Sequence, residues 1–286
     1  MDRLSGFFLI MNLVAGIVVR MEQFYTILLL ALLWLLLRTP MPAAASCGDQ
    51  AARELELLAK AYPRLEGELI CRNDGAVIFQ PAGKNAALLL ISPSENEEKP
   101  ASPSLRAVLA QPYPLGSGHR YPDKGFAPGR LRSLPLLSAL YGHSEQQVRA
   151  NCGRIDFFGT ELLFNRRHGA LEALRRVIAR LATHLALHPE DLAYILPCGG
   201  SLCRRTVKDT GLLSAHAFGI ALDLNPKTGP YWLWNPSPQA IEKARQSYPQ
   251  GIVDAFEAEG FIWGGKWDAF DFMHFEYRPE CVFAHK

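Results

Sequence analysis

Two stretches decide how this chain reads: Ser214-Ala215-His216-Ala217-Phe218-Gly219-Ile220-Ala221-Leu222-Asp223, and Asp271-Phe272-Met273-His274-Phe275-Glu276. In the first, Ala221 to Leu224 has the composition of a short strand, and Gly219 permits a turn just before it. A bent approach into a strand can fold His216 and Asp223, seven residues apart, onto one ion. A helix serves less well, because helical neighbours lie three or four apart. In the second stretch, Met273 to Tyr277 reads as another strand, which puts His274 and Glu276 on the same face.

Two imidazoles and a carboxylate, with one position left for solvent, form the ligand set of a hydrolytic zinc site. A further carboxylate beside that position can act as a base. Asp271, Glu276 and Asp268 are the candidates. The chain has eight histidines, and a histidine near an aspartate is often an ordinary hydrogen-bonded pair. The first stretch alone therefore constrains little, and the second gives it weight.

The pattern Ser-x-His-x-x-Gly-x-Ala-x-Asp followed by Asp-x-x-His-Phe-Glu resembles the D-alanyl-D-alanine carboxypeptidase family of zinc peptidases. These are relatives of the vancomycin-resistance dipeptidases and the phage L-alanyl-D-glutamate endopeptidases. Gly260-Phe261-Ile262-Trp263-Gly264-Gly265-Lys266-Trp267 is similar to a Trp-Gly-Gly-x-Trp segment of one subgroup, and the resemblance runs from about Asn151 to Cys281. It implies zinc (Zn2+) held by His216, Asp223 and His274, with Asp271 as general base; Glu276, two residues past the last ligand, is expected to orient a ligand or neighbouring backbone. It also implies an arginine eleven residues before the first ligand, in a Gly-x-x-x-x-Arg pattern, which binds substrate and the developing oxyanion. Gly200 and Arg205 fit that spacing, and Arg204 adjoins it. The chain departs from the family in one respect: Ser201-Leu202-Cys203 stands where an aromatic often precedes the arginine. The implied fold is α+β, a small, largely antiparallel sheet carrying the zinc site with helices packed on one side. The implied activity is hydrolysis of peptidoglycan stem peptides, as a D,D-carboxypeptidase removing terminal D-Ala. The alternatives are an endopeptidase cutting within or between stems and a non-catalytic cell-wall binder. Ser214 is expected to support the site through a hydrogen bond. Trp232, Trp234, Trp263 and Trp267 line the cleft or pack, and Arg130 and Arg132 resemble an arginine segment of the same subgroup without an assigned role.

Residues 24–37 carry no charge and are followed by Arg38, two prolines and Ala43-Ala44-Ala45-Ser46. This reads as a secretory signal cleaved after Ala45; the alternative is an uncleaved N-terminal anchor, although the run is short for a span. Met21 is a second possible start. The expected location is periplasmic or secreted, with membrane contact only through this segment. Setting aside Arg3, Arg20, Arg38, Asp2 and Glu22 leaves 27 basic against 26 acidic residues, which gives no electrostatic reason for a nucleic-acid partner. The organisation expected is 1–45 signal or anchor, 46–104 an N-terminal portion and exposed loop, and 105–286 the catalytic domain. Six cysteines allow three disulfides in an exported chain; Cys198 with Cys203, and Cys47 with Cys71, are the pairs considered.

Periodicity predicts helices over 50–62, from Ser144, over 168–187, from Ser237-Pro238, and over 252–259 ending at Gly260. Strands are predicted at 76–79, 87–91 and 194–196.

Overall fold

The computed structural model describes residues 48–63, 65, 67–72, 74, 76–81, 88–91, 103–117, 121–207 and 211–284. The expected signal or anchor and most of the 92–104 loop lie outside them. Ser46–Lys286 clusters as one compact unit. Among the described residues no helix is long and apolar enough to cross a membrane.

Helix α1 (Gly48–Ala61) buries the predicted face of Leu55 and Leu58, with Tyr62 just beyond it. Strands β1 (Gly67–Cys71), β2 (Val77–Pro81) and β3 (Leu88–Ile91) form an antiparallel meander. This N-terminal portion shares the core of the remainder. The Tyr62 hydroxyl donates to Glu280 Oε2 at 2.5 Å, 218 residues away. Arg106, on the short helix α2 (Leu105–Leu109), pairs with Glu54.

Helix α3 (Leu134–Tyr141) leads to α4 (Glu145–Asn151), whose Ser144 Oγ accepts from Gln147 N at 3.2 Å as the capping pattern predicts. A hairpin absent from the sequence reading follows: β4 (Cys152–Phe157) and β5 (Thr160–Asn165). Its two-residue loop, Phe158-Gly159, has positive φ at both positions, the requirement of a type I′ turn. Phenylalanine is an uncommon residue there, so the turn left little sequence signal. Helix α5 (Ala170–Leu187) buries Leu171, Leu174, Val177 and Leu181 along one stripe, while Arg176 and Arg180 reach Glu259.

Residues 194–196 do not form the expected strand. Leu192–Ile195 is a single helical turn, α6, entered through the 3-10 turn Pro189–Asp191. A three-residue apolar run has no period of its own, and here the preceding turn continues directly into the helix.

The site-bearing sheet comprises β6 (Ala221–Asp223), β7 (Phe261–Trp263) and β8 (His274–Tyr277), in the order β6-β8-β7, all antiparallel. Strand alternation sends Asp223, His274 and Glu276 to one face and Leu222, Phe275 and Trp263 to the other. The apolar face is covered by α8 (Gln250–Glu257), which follows α7 (Pro238–Ser247) and packs Phe256 on Phe275 at 4.0 Å between ring centres. The Ser237 cap is present, and Gly260, with φ of 86°, turns the chain into β7. The short helix α9 (Pro279–Phe283) ends the described chain. The architecture is the expected α+β one.

The expected disulfides are corrected in part. Cys152, Cys198, Cys203 and Cys281 are free, so three bridges do not form and the Cys198–Cys203 loop is not closed. Instead, Gly200 forms a bridge with Asp223, and the Cys198 thiol donates to the Asp223 carbonyl at 3.2 Å. Extended pairing along β6 holds this segment open. The other pair considered involves Cys47, outside the described residues.

Candidate metal centre

The chain enters the site through a capped turn. Ser214 Oγ accepts from His216 N at 3.3 Å and opens the 3-10 turn Ala215–Phe218. Gly219, in the left-handed region at φ 67°, releases the chain into β6. A Cβ at Gly219 would also lie 2.8 Å from Cys152 Sγ, so both the backbone and the space require glycine. His216 thereby sits on the turn and Asp223 on the strand it feeds.

Three donor atoms converge. His216 Nε2 lies 3.1 Å from Asp223 Oδ1 and 3.2 Å from His274 Nδ1, and His274 Nδ1 lies 3.0 Å from Asp223 Oδ1. The outer nitrogens decide what these inner atoms present. His216 Nδ1 is 2.5 Å from the Ser201 carbonyl, which can only accept, so the proton sits on Nδ1 and the Nε2 lone pair faces inward. His274 Nε2 is 3.0 Å from Glu276 Oε2, which assigns the other tautomer and turns its Nδ1 lone pair inward. Two nitrogen lone pairs and a carboxylate oxygen pointed at one spot repel unless a cation stands there.

The separations also suit an ion. Tetrahedral ligation at about 2.0–2.1 Å spaces donors about 3.3 Å apart. His216, Asp223 and His274 are the cluster that could hold a metal among the described residues, and the residue set fits zinc. Without an ion, a proton serves in part. Burial works against a charged His274, but hydrogen bonds to Asp223 and Glu276 outweigh it and raise its pKa to about 9. Burial likewise opposes charge on Asp223, and the two histidines reverse this and hold its carboxyl far below the usual range.

Glu276 is held by His274 and two arginines. It is fully buried, and Arg132 donates to its Oε2 from Nε at 3.0 Å and Nη2 at 2.5 Å, while Arg278 donates to Oε1 at 2.9 Å. Burial alone would raise its pKa; Arg132, His274 and Arg278 overcome that and hold the carboxyl far below its ordinary value. A carboxylate behind a metal-binding histidine fixes the ring's tautomer and orientation. Asp268, the third candidate, is exposed, and its Oδ2 accepts from Gly125 N at 2.8 Å. It anchors a loop.

Asp271 lines a pocket together with His274. It starts the turn into β8, with His274 N donating to its carbonyl at 3.2 Å. Its Oδ1 is buried without a hydrogen-bond partner among the described residues. Burial pushes its carboxyl up to about 7, against the pull of His274, Arg205 and Arg130 and with repulsion from Asp223. Asp271, His274, Arg205, Ser214, Tyr231 and Trp267 line a small pocket together with Arg130 and Arg132.

Arg205 reaches this pocket and Arg204 is absent from its lining. Just after Arg205, Thr206 pairs with Leu213 and Val207 N donates to Leu212 O. Its Nη2 lies 3.7 Å from Asp223 Oδ2, and the side chain is 48% exposed. Of the two adjacent arginines, Arg205 is the one that lines the pocket.

The ligands and Asp271 lie in one matched segment, with Arg205 just before it. Residues 208–277 match the D-alanyl-D-alanine carboxypeptidase family model. The match supports a peptidase of this family. No curated protein matches the chain, and no solved structure does.

Outside the matched segment, residue spacing left Arg132 without a role. Its partner Glu276 lies 144 residues away, and no local spacing announces such a pairing. The Ser201 carbonyl behind His216 was equally hidden, because any residue supplies a carbonyl. The tryptophans divide. The Trp267 ring lies 5.7 Å from that of His274. Trp263 is buried and donates to Phe272 O. Trp232 lies beneath the Arg130 guanidinium at 5.9 Å, and Trp234 borders a different groove.

Proposed function

We propose that the protein is an exported zinc-dependent peptidase that hydrolyses peptidoglycan stem peptides as a D,D-carboxypeptidase, removing terminal D-Ala. The observation that carries this reading is the orphaned, buried Asp271 Oδ1 beside three inward-facing donor atoms in an arginine-lined pocket. The apolar stretch 24–37 and the small residues before Ser46 support export.

A zinc ion held by His216, Asp223 and His274 would supply Lewis acidity toward the scissile carbonyl and lower the pKa of the attacking water. The protein's own groups handle the proton and the charge. Asp271, with its pKa near neutrality, takes a proton from the attacking water and passes it to the leaving amine. Arg205 faces the same pocket and donates to the oxygen on which negative charge develops. Arg132, through Glu276, keeps His274 in the one tautomer that presents Nδ1 to the site. Trp267 and Tyr231 wall the pocket and limit water.

The test is product identification. Purified protein and an Asp271→Asn variant are incubated with muropeptides carrying pentapeptide stems, and products are weighed by mass spectrometry. Loss of one terminal D-Ala, absent with the variant, is the expected result. Fragments from inside the stem would make the enzyme an endopeptidase, and zinc binding with no turnover would make it a wall-binding relative.

A further inference from the structure

We infer that the groove beside Trp234, joined to the metal pocket through Pro230-Tyr231, binds the glycan strand that carries the stem peptides: a chain of amino-sugar rings bearing carboxylates. This rests on the peptidase reading above and adds a second binding site to it.

The groove has a volume of about 440 Å³, the size of a ligand-binding cleft. It shares no lining residue with the pocket at the metal donors. The two meet through neighbours in the chain: Pro230 lines the groove and Tyr231 lines the metal pocket. Both are pinned to the segment that carries Asp271. Pro230 O accepts from Phe272 N at 3.1 Å, Tyr231 pairs with Asp271, and Trp232 N donates to Phe270 O at 3.0 Å. The 3-10 turn Trp232–Trp234 follows, and Asn235, left-handed at φ 50°, closes it by donating to Trp232 O at 3.1 Å. Trp234 therefore leaves the fold on an anchored turn, 56% exposed and edge-on to the Tyr231 ring at 6.0 Å. A lone exposed apolar residue needs no explanation, but this one walls a groove beside a second aromatic. A ring placed in advance loses less freedom on binding.

The lining selects the occupant. Tyr194 is the second ring, held edge-on against the buried Tyr248 at 5.4 Å. An aromatic face is negative and attracts polarised C–H groups, which the flat side of a sugar ring presents. Lys227 and Lys243 bring two cations to the groove, and no carboxylate lines it. Neither lysine has an ion-pair partner among the described residues. Charge complementarity therefore calls for an anionic ligand. A lysine is a point charge on a flexible stem, which suits carboxylates spaced along a flexible polymer. A peptide strand is served less well. Strand addition needs a row of open backbone groups, whereas Pro226 and Pro230 have no N–H to offer and Pro230 O already accepts from Phe272 N. Two lysines also fall short of the row of phosphate contacts that holds a nucleic acid. A glycan strand seated on Trp234 would bring an attached stem peptide toward Tyr231, which lines the metal pocket.

The probe is peptide-free glycan strands, whose lactyl carboxylates are exposed, titrated into the purified protein by calorimetry at low and high sodium chloride. The same is done with Trp234→Ala and with a double variant, Lys227→Gln with Lys243→Gln. Hydrolysis of a soluble pentapeptide by the parent is followed separately. The parent should bind the strands, Trp234→Ala should weaken that binding about 10-fold, and the lysine variant should lose most of its salt sensitivity. Thermal unfolding of each variant separates misfolding from lost recognition, and the lysine variant supplies the reading if Trp234→Ala does not fold. No strand binding by the parent, undiminished binding in a folded Trp234→Ala, or an unchanged salt response in the lysine variant would overturn the proposal. Binding of the free stem peptide alone, lost with Trp234→Ala, would also overturn it and make the groove a peptide subsite. Strand binding that depends on Trp234, with no cleavage of the pentapeptide, would uphold the groove and defeat the peptidase reading. Cleavage without strand binding would uphold that reading and defeat the groove.

Discussion

Asp223 and His274 stand directly opposite one another across β6 and β8, their donor atoms 3.0 Å apart. Two of the three converging donors are thus a cross-strand pair, positioned by the sheet register. A one-residue slip would send Asp223 or His274 to the opposite face. The third donor, His216, arrives on a turn fixed by Ser214 and Gly219.

Metal binding should therefore stabilise the fold. Zinc added to chelator-treated protein should raise its melting temperature, and at about 100 times Kd the gain is about 2.7 kcal/mol. Asp223→Ala and His274→Ala should abolish that rise together with bound zinc, as read by differential scanning calorimetry and elemental analysis. A melting temperature insensitive to zinc would remove the metal centre from the account.

Asp271→Asn should cut hydrolysis by about 10²- to 10⁴-fold, the usual worth of a general base, with zinc content preserved. It should also change how stability depends on pH in the metal-free protein. The folded Asp271 holds its proton up to about 7, whereas an unfolded aspartate releases it near 3.9. Between those values the folded state binds more protons, so this group's contribution falls as pH rises. The variant should therefore gain on the parent from pH 4 to pH 8, by at most about 4 kcal/mol. Denaturant titrations across that range supply the check.

Glu276→Gln should weaken zinc binding by about 10- to 100-fold, because it disturbs the group that orients His274. It should also cost about 3–5 kcal/mol, since Arg132 and Arg278 lose their buried counter-charge. The folded Glu276 has a depressed pKa. Its stabilisation is thus present above the unfolded value near 4.3 and fades as pH falls below it, so parent and variant should converge in acid. Urea melts at neutral and acid pH would measure this.

Arg205→Ala should lower kcat/KM by about 10²- to 10³-fold, while Arg204→Ala should stay within a few-fold of the parent. Both arginines are on the surface, so neither variant should shift the melting temperature by more than a degree or two. Equal losses in the two would mean that charge near the pocket matters and position does not.

That His216, Asp223 and His274 converge, and that strands carry the last two, was readable from residue types and spacing. A histidine, a glycine and an aspartate at fixed intervals on a turn-then-strand segment carry their geometry locally, and helix stripes such as that of α5 repeat often enough to be unmistakable. Short elements behaved differently. The Phe158-Gly159 hairpin and the turn at Leu192–Ile195 depend on backbone angles and neighbours that composition does not encode. The surroundings of Arg132, Arg205 and Glu276 depended on which distant groups met them. Arg204 and Arg205 are chemically identical and adjacent, and only Arg205 lines the pocket. Glu276 and Asp271 are both carboxylates near the same histidine. One is quenched by two arginines and the other is left buried without a donor, because charge and solvation are set by packing across the fold and not by position along the chain.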